Sequence, residues 1–463
     1  MEQQDTTLTE KNTALTKRVI LLAWPAIFEN IMLSMVEYID TAMVGSLGAS
    51  ATAAIAINNP ILWMMNAVMM AVAVGGTVMT ARFVGADDEK GAQRVTGQAF
   101  LMVLVMSSVL SVLLFSLSGR IPAWMGAKPE IMASSAAYLR IRSACFIPQF
   151  TQIVLAGILR GAGDTKTPMC INLLMNVVNI AGNFFLIFSP NTYQLFGHSF
   201  RVWGAGMGVV GAAAASSLSM AVAGIILFCI LTFRKSKVQL RFSEMKPDRD
   251  TMRRMFSVGV PTALERLATS GGQLMFIRIV TGLGTVSLAA HQLAVTAESI
   301  SYMPAYGFQA AATTLVGQAL GAGSVKLARK YGNISFYLCT ACMVCMSSVL
   351  FFGSEWLISL FTPEAEVIVQ GGQALRIVAA GEIFFGAALV LTGALRGAGD
   401  TKQPFYACLI TMWGIRLPAA FIMVNFFHWG LRGAWCAMVL DLTTRGVLMF
   451  LRFRSDKWEK ITI

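Results

Sequence analysis

The octapeptide Leu159-Arg160-Gly161-Ala162-Gly163-Asp164-Thr165-Lys166 recurs unchanged from Leu395 to Lys402, and a proline follows two residues after each copy, Pro168 and Pro404. The copies lie 236 residues apart, and the same offset relates other regions without adjustment. It carries Trp24-Pro25-Ala26 onto Val260-Pro261-Thr262, Glu29 onto Glu265, Gly85 onto Gly321 and Arg140 onto Arg376. One constant offset through separated regions marks a duplicated unit. Each copy is about 230 residues, far longer than a solenoid repeat, so the copies are domains.

Composition decides what kind of domain is duplicated. Of 463 residues, 56% are hydrophobic and 13% charged, against roughly 45–50% and 25% in soluble domains. Apolar runs of about 20 residues, long enough to cross ~30 Å of hydrocarbon, recur along the whole chain. This predicts a polytopic membrane protein. The polar first 18 residues lack the basic, apolar and small-residue order of a cleavable signal, so the first apolar run is expected to stay as a helix. The eight cysteines are scattered without CxxC spacing and read as small hydrophobes.

The apolar runs predict twelve helices at 19–46, 52–81, 95–118, 131–158, 168–188 and 207–233, then 255–282, 286–318, 332–353, 367–395, 404–427 and 433–451. Of 36 Lys and Arg, 25 fall in segments on the N-terminal side of the membrane and four (Arg120, Lys128, Arg201, Arg432) in the opposite loops. This bias places both termini in the cytoplasm, and makes the net charge of +12 a topology signal rather than a nucleic-acid footprint. Six helices per copy means both copies enter from the same side, related by a pseudo-two-fold axis along the membrane normal. The expected fold is an all-α membrane protein of two pseudo-symmetric six-helix bundles around a central cleft. Its domains are 1–233 and 255–463, joined by a basic cytoplasmic linker at 234–254.

The octapeptides then sit in cytoplasmic turns, where glycines permit a tight reversal and Asp164 or Thr167 can cap the next helix. Prolines at 25, 148, 261, 304 and 418 are expected to mark kinks. Ionisable groups at membrane depth cost about 3 kcal/mol on insertion scales, so each one needs a reason. The first helix carries Glu29, Glu37 and Asp40 on one stripe, and the fifth carries Asn172, Asn176, Asn179 and Asn183 at i, i+4, i+7 and i+11. Interhelical hydrogen bonding, worth ~0.6 kcal/mol on average, explains one such amide more easily than four.

The duplication supplies a control. The offset carries Asp40 onto Phe276 and the four asparagines onto Cys408, Met412, Ile415 and Ala419. A purely structural cluster has no obvious reason to be confined to one copy. We therefore expect a cation site in the N-terminal bundle around Asp40, Asn179 and Asn183, able to hold a proton on Asp40 or a hard cation such as sodium. Glu29 and Glu265, present in both copies, suit structural or gating roles. Asn176, Glu37, Glu298 and Glu382 are candidates for lining the cleft or gating; the latter two read as lone acids on helices eight and ten. Asp441 and Arg445, at i, i+4, are expected to neutralise each other. The three histidines form no cluster and lie at or near outward loops.

With Val36-Glu37-Tyr38-Ile39-Asp40-Thr41-Ala42-Met43-Val44-Gly45 and the doubled LRGAGDTK, the chain resembles the multidrug and toxic compound extrusion (MATE) transporters along essentially its whole length. The resemblance implies an antiporter that exports amphipathic, often cationic compounds in exchange for protons or sodium. It places the family's acidic residue on Asp40, its helix-five pair on Asn179 and Asn183, and a helix-six hydroxyl on Ser216. Several members carry Asp where Asn183 stands, which favours protons over tight sodium binding. A helix-seven glutamate of one branch is Thr269 here, with Glu265 one turn earlier, and its helix-ten aspartate is Phe385, with Glu382 nearly one turn away.

The resemblance further implies a multi-pass protein of the inner (plasma) membrane, acting as a monomer in contact with lipid. No cofactor other than the coupling ion is expected, and no nucleic-acid partner. The rival reading is a flippase of lipid-linked precursors, for which Arg140, Arg142, Arg278, Arg376 and Arg416 could bind pyrophosphate. No HExxH or GxxxxGK[ST] motif supports a membrane enzyme or an ATP-driven pump.

Overall fold

The computed structural model describes residues 12–195 and 198–461, the side chains of residue 37 and residues 191–202 excepted. Its helices follow the apolar runs: α1 (Asn12–Gly45), α2 (Ala49–Gly85), α3 (Glu89–Leu117), α4 (Pro129–Ala144 and Phe146–Gly161), α5 (Lys166–Ile187) and α6 (Gly208–Phe233). The second copy supplies α7 (Arg249–Thr281), α8 (Thr285–Ser301 and Met303–Gly321), α9 (Val325–Phe352), α10 (Ala365–Gly397), α11 (Lys402–Asn425) and α12 (Gly430–Arg454). The fold is thus all-α with twelve long helical spans. The described residues outside them add short helical turns and one antiparallel hairpin between α5 and α6, pairing Asn191–Leu195 with His198–Val202.

Among the described residues nine helices, and α4 as a bent tenth, are long and apolar enough to cross a membrane. The remaining two are α7, which carries Glu265, Arg266 and Arg278, and α8, which is broken at Tyr302. α3 turns Val105, Val109 and Val112 outward, each more than half exposed, an arrangement that water penalises and lipid does not. Several helices start earlier than the apolar runs suggest, α3 at Glu89, α7 at Arg249 and α9 at Val325. Their first turns are charged and lie beyond the apolar run, where Lys, Arg and Glu are good helix formers.

Three of the five prolines mark interruptions. α4 bends by 53° at Cys145, before Pro148. α8 breaks at Tyr302, before Pro304, and α11 holds a π-helical stretch, Ile410–Arg416, before Pro418. The missing N–H and the ring clash with the preceding turn account for each. Pro25 and Pro261 instead lie within uninterrupted helices.

The chain forms two compact units, one of Phe28–Thr80 and Glu89–Phe256, the other of Met1–Ile27, Ala81–Asp88 and Ser257–Ile463. Within the first, α4 lies against α2 so closely that a Cβ on Gly161 would meet the Thr77 carbonyl oxygen at 2.3 Å. Within the second, a Cβ on Gly397 would meet the Thr313 carbonyl at 2.3 Å. These are the same contact in two copies, and Gly157-x-x-x-Gly161 and Gly393-x-x-x-Gly397 give it the small-residue spacing that lets membrane helices touch.

The octapeptides form the turns expected of them. Gly163 and Gly399 adopt φ of +91° and +85°, left-handed geometry that favours glycine. Asp164, rather than Thr167, is the cap: its carboxylate accepts from the Thr167 amide at 3.0 Å and hydroxyl at 2.7 Å. Its copy Asp400 accepts from Arg452 at 2.7 Å.

The basic segment after α6 is held to the first unit rather than hanging from it. Gln98 on α3 donates to the carbonyls of Glu244 and Lys246 at 2.8 and 2.7 Å and accepts from the Asp248 amide at 2.9 Å. Asp248 caps α7, accepting from the Thr251 hydroxyl at 2.7 Å, and that bond holds its carboxyl below the usual carboxylate range. All eight cysteines are free.

Candidate cation-coupling site

The first unit gathers the acid of α1, the amides of α5 and a hydroxyl of α6. Small residues make this possible: a Cβ on Gly182 of α5 would lie 3.0 Å from the Ala215 methyl of α6, so the two helices nearly touch. Ser216 then faces Asn179, whose amide donates to its Oγ at 3.3 Å. Asn183, one turn on, donates to Asn179 Oδ1 at 3.2 Å and to the Asp40 carboxylate. Asp40, Asn179, Asn183 and Ser216 are therefore one hydrogen-bonded chain across three helices.

The amide orientation of Asn183 follows from these bonds, since both of its partners are acceptors. Its own carbonyl oxygen is left buried without a hydrogen-bond partner. A buried acceptor in that condition costs about 1–3 kcal/mol until a donor or cation meets it. One carboxylate, two amide oxygens and a hydroxyl form the hard, oxygen-only set that suits a proton or sodium.

Farther down the same two helices lies a second polar cluster. Glu29 accepts from Arg160 at 3.0 Å and from Asn172 at 2.5 Å, and Asn172 in turn accepts from Gln152 at 2.7 Å. In the second unit Glu265 accepts from Arg396 at 2.9 Å. Arg160 and Arg396 occupy the same place in the two octapeptides, so the repeated acid and the repeated motif are partners. The offset of 236 carries each member of one pair onto the other, so the pairing leaves a trace in the sequence. Asn176 is buried between the two clusters, its amide nitrogen without a partner. The side chain of Glu37 lies outside the described residues.

The remaining acids belong to the second unit. Glu382 is not lone: the Ser301 hydroxyl, 2.8 Å from the main-chain carbonyl of Glu298 one turn back, lies 2.8 Å from the Glu382 carboxylate and can donate to it. The break at Tyr302 sets Ser301 at the end of its helix half, next to α10. Asp441 is fully buried and takes Arg445 in two bonds of 2.8 and 3.1 Å, with Arg416 at 3.7 Å. It therefore has a second cation besides the i, i+4 partner. Arg416 also lies 4.3 Å over the Phe276 ring. His291, near the start of α8, is buried between the rings of Phe276 and Trp435. No group of three or more His, Cys, Asp or Glu among the described residues could hold a metal ion.

Comparison with known proteins agrees with this architecture. The MatE family model matches the chain twice, at residues 25–185 and 261–422, starting 236 residues apart. The probable multidrug resistance protein NorM of Thermotoga maritima is 32% identical over 452 residues, covering 97% of this chain and 95% of that one. The uncharacterized transporter YisQ of Bacillus subtilis is 26% identical, with 97% of each chain covered. Among solved structures, an outward-facing multidrug resistance MATE family transporter of the MOP superfamily superimposes with a TM-score of 0.88 at 22% identity, covering 95% of each chain. A MOP superfamily transporter from Pyrococcus furiosus superimposes with a TM-score of 0.87 at 22% identity, covering 97% of each. The fold, the two matched repeats and the full-length relative at 32% identity lead to one conclusion: the chain belongs to the MatE family of multidrug efflux transporters.

Proposed function

We propose that the protein is a secondary antiporter that exports amphipathic, often cationic compounds in exchange for protons, with sodium as the second candidate. The coupling ion binds at Asp40, Asn179, Asn183 and Ser216. The observation that carries this reading is the unpartnered, buried carbonyl oxygen of Asn183 beside the only carboxylate of that hydrogen-bonded chain. A protonated Asp40 supplies a donor there, and sodium supplies a cation. Exporting one monovalent cation against ~100 mV costs about 2.3 kcal/mol, and one proton moving inward offsets that term. One-for-one exchange then runs on the pH gradient, ~1.4 kcal/mol per unit.

On this reading residues 1–233 form the coupling half, 234–254 the connection and 255–463 the second half. The protein works as a monomer in the plasma membrane with both termini cytoplasmic. Glu29 and Glu265 are scaffold, and Glu298 and Glu382 remain candidates for gating. The rival reading, export of lipid-linked precursors, needs arginines available to a pyrophosphate. Arg140, Arg376 and Arg416 are instead engaged with Ser118, Glu355 and Asp441.

The test uses purified protein in liposomes, a fluorescent organic cation, and proton and sodium gradients imposed separately. Wild-type protein is expected to exchange the dye for protons. Asp40→Asn is expected to fold, to confer no drug resistance, and to bind the dye with an affinity that no longer depends on pH. Wild-type resistance in Asp40→Asn cells at matched expression refutes the mechanism.

A further inference from the structure

The two carboxylates that α1 presents to α5 are Glu29 and Asp40, eleven residues apart. The amides that meet them, Asn172 and Asn183, are also eleven apart and in the same order. Equal spacing in the same sense requires the helices to run parallel in a single register. Eleven residues are close to three turns, so both rungs lie on one face of each helix, ~16 Å apart. The rung at Glu29 is also held by a cation, since Arg160 of α4 bonds the same oxygen that Asn172 does.

The second copy shows what this rung adds. There the ion pair is kept, as Glu265 and Arg396, but position 408 is Cys408 and position 419 is Ala419. Cys408 meets the Thr269 hydroxyl at 3.1 Å and the main-chain carbonyl of Glu265 at 4.0 Å, not the Glu265 carboxylate. The repeat unit therefore folds around the ion pair without an amide on its acid. Amide rungs occur only in the copy that carries Asp40, so the fold as such does not need them.

We propose that Asn172, steadied by Gln152, is a positioning residue for the coupling site. Bonded to Glu29, it sets the register of α1 on α5 and thereby holds Asp40 opposite Asn183. This rests on the assignment of coupling to Asp40. The seam carries few other charges. The part of α2 in this unit, α5 beyond Cys170 and α6 before Cys229 bear no titratable side chain. α1 adds Glu37 and Tyr38, and α3 adds Glu89, Lys90 and Arg94 in its first turns. α4 carries Glu130, Tyr138 and Cys145, and Arg140 and Arg142, which are engaged with Ser118 and Met220. A change in ion dependence caused by replacing Asn172 is therefore transmitted through register rather than through a new charge.

The experiment is Asn172→Cys, which installs the residue that the second copy carries at the same place, with Asn172→Ser as a second variant should the first fail to fold. In proteoliposomes the external proton or sodium concentration giving half-maximal dye export is measured, together with maximal rate and thermal stability. The expected result is a half-saturation raised about tenfold, the usual scale for loss of a partner that orients an ion ligand, with stability unchanged. An unshifted half-saturation overturns the proposal. So does a fall in rate that merely follows a loss of folded protein, the sign of a scaffold role. Asp40→Asn is assayed alongside. If it exchanges like wild type, the assignment of coupling to Asp40 fails and the proposal with it. If it is inactive while Asn172→Cys matches wild type, only the positioning role fails.

Discussion

Replacing Glu265 with Gln removes the charge from an ion pair that both copies of the domain contain. Glu265 and Arg396 meet at 2.9 Å, and their side chains are 16% and 17% exposed. At that distance, with an effective dielectric near 20, the Coulomb attraction is about 6 kcal/mol. Desolvation offsets much of it, so the quantity that matters is the cost of leaving Arg396 without its counter-charge. That cost is about 3–5 kcal/mol for a fully buried pair and below about 1 for an exposed one. With roughly five-sixths of each side chain covered, Glu265→Gln is expected to cost about 3 kcal/mol. A compact unit of about 200 residues loses ~2–4 °C per kcal/mol, giving a fall of ~6–12 °C. Size-exclusion chromatography after a heating series reads this directly in detergent. Arg396→Gln alone should cost a similar amount, and the double variant clearly less than the sum. Export per folded molecule should stay close to wild type. Two single variants that melt like wild type yet fail to export would refute the scaffold assignment and put the pair in the transport cycle.

Gly85→Ala should prevent accumulation of folded protein, because a Cβ there would lie 2.0 Å from the Gln318 carbonyl oxygen, and backbone cannot yield as a side-chain tip can. Gly321→Ala should do the same against the Arg82 carbonyl, also at 2.0 Å, whereas Gly45→Ala, with nothing within 4 Å, should be neutral by expression and melting temperature. Reporters fused after Ile463 and inserted at 234–254 should both read cytoplasmic; an external reading of either would break the six-plus-six topology.

Much of this protein was legible in one dimension because a membrane simplifies the code. Runs of apolar residues mark most of the spans, and an exact internal repeat exposes the duplication. The same repeat marked Asp40 and the helix-five amides as special, since their counterparts at Phe276, Cys408 and Ala419 cannot do the same chemistry. Prolines 148, 304 and 418 foretold where helices break, because the missing N–H acts locally whatever the fold. Prolines 25 and 261 instead lie within helices that continue through them.

Pairing was not legible. Glu382 read as an isolated acid until Ser301, from another helix, came within reach of its carboxylate, and nothing along the chain announced the two aromatic rings that enclose His291. Glu29 and Arg160 each stood out as repeated at one offset, but that shared repetition is the sole trace of their pairing in the sequence. Helix packing made them partners, by laying α1 against α4 and α5. Sequence sets which residues a helix carries and the stripe they occupy, because both follow from local geometry. Which stripe faces which depends on how small residues such as Gly161, Gly182 and Gly397 let neighbouring backbones approach, and that is a property of the packed tertiary structure.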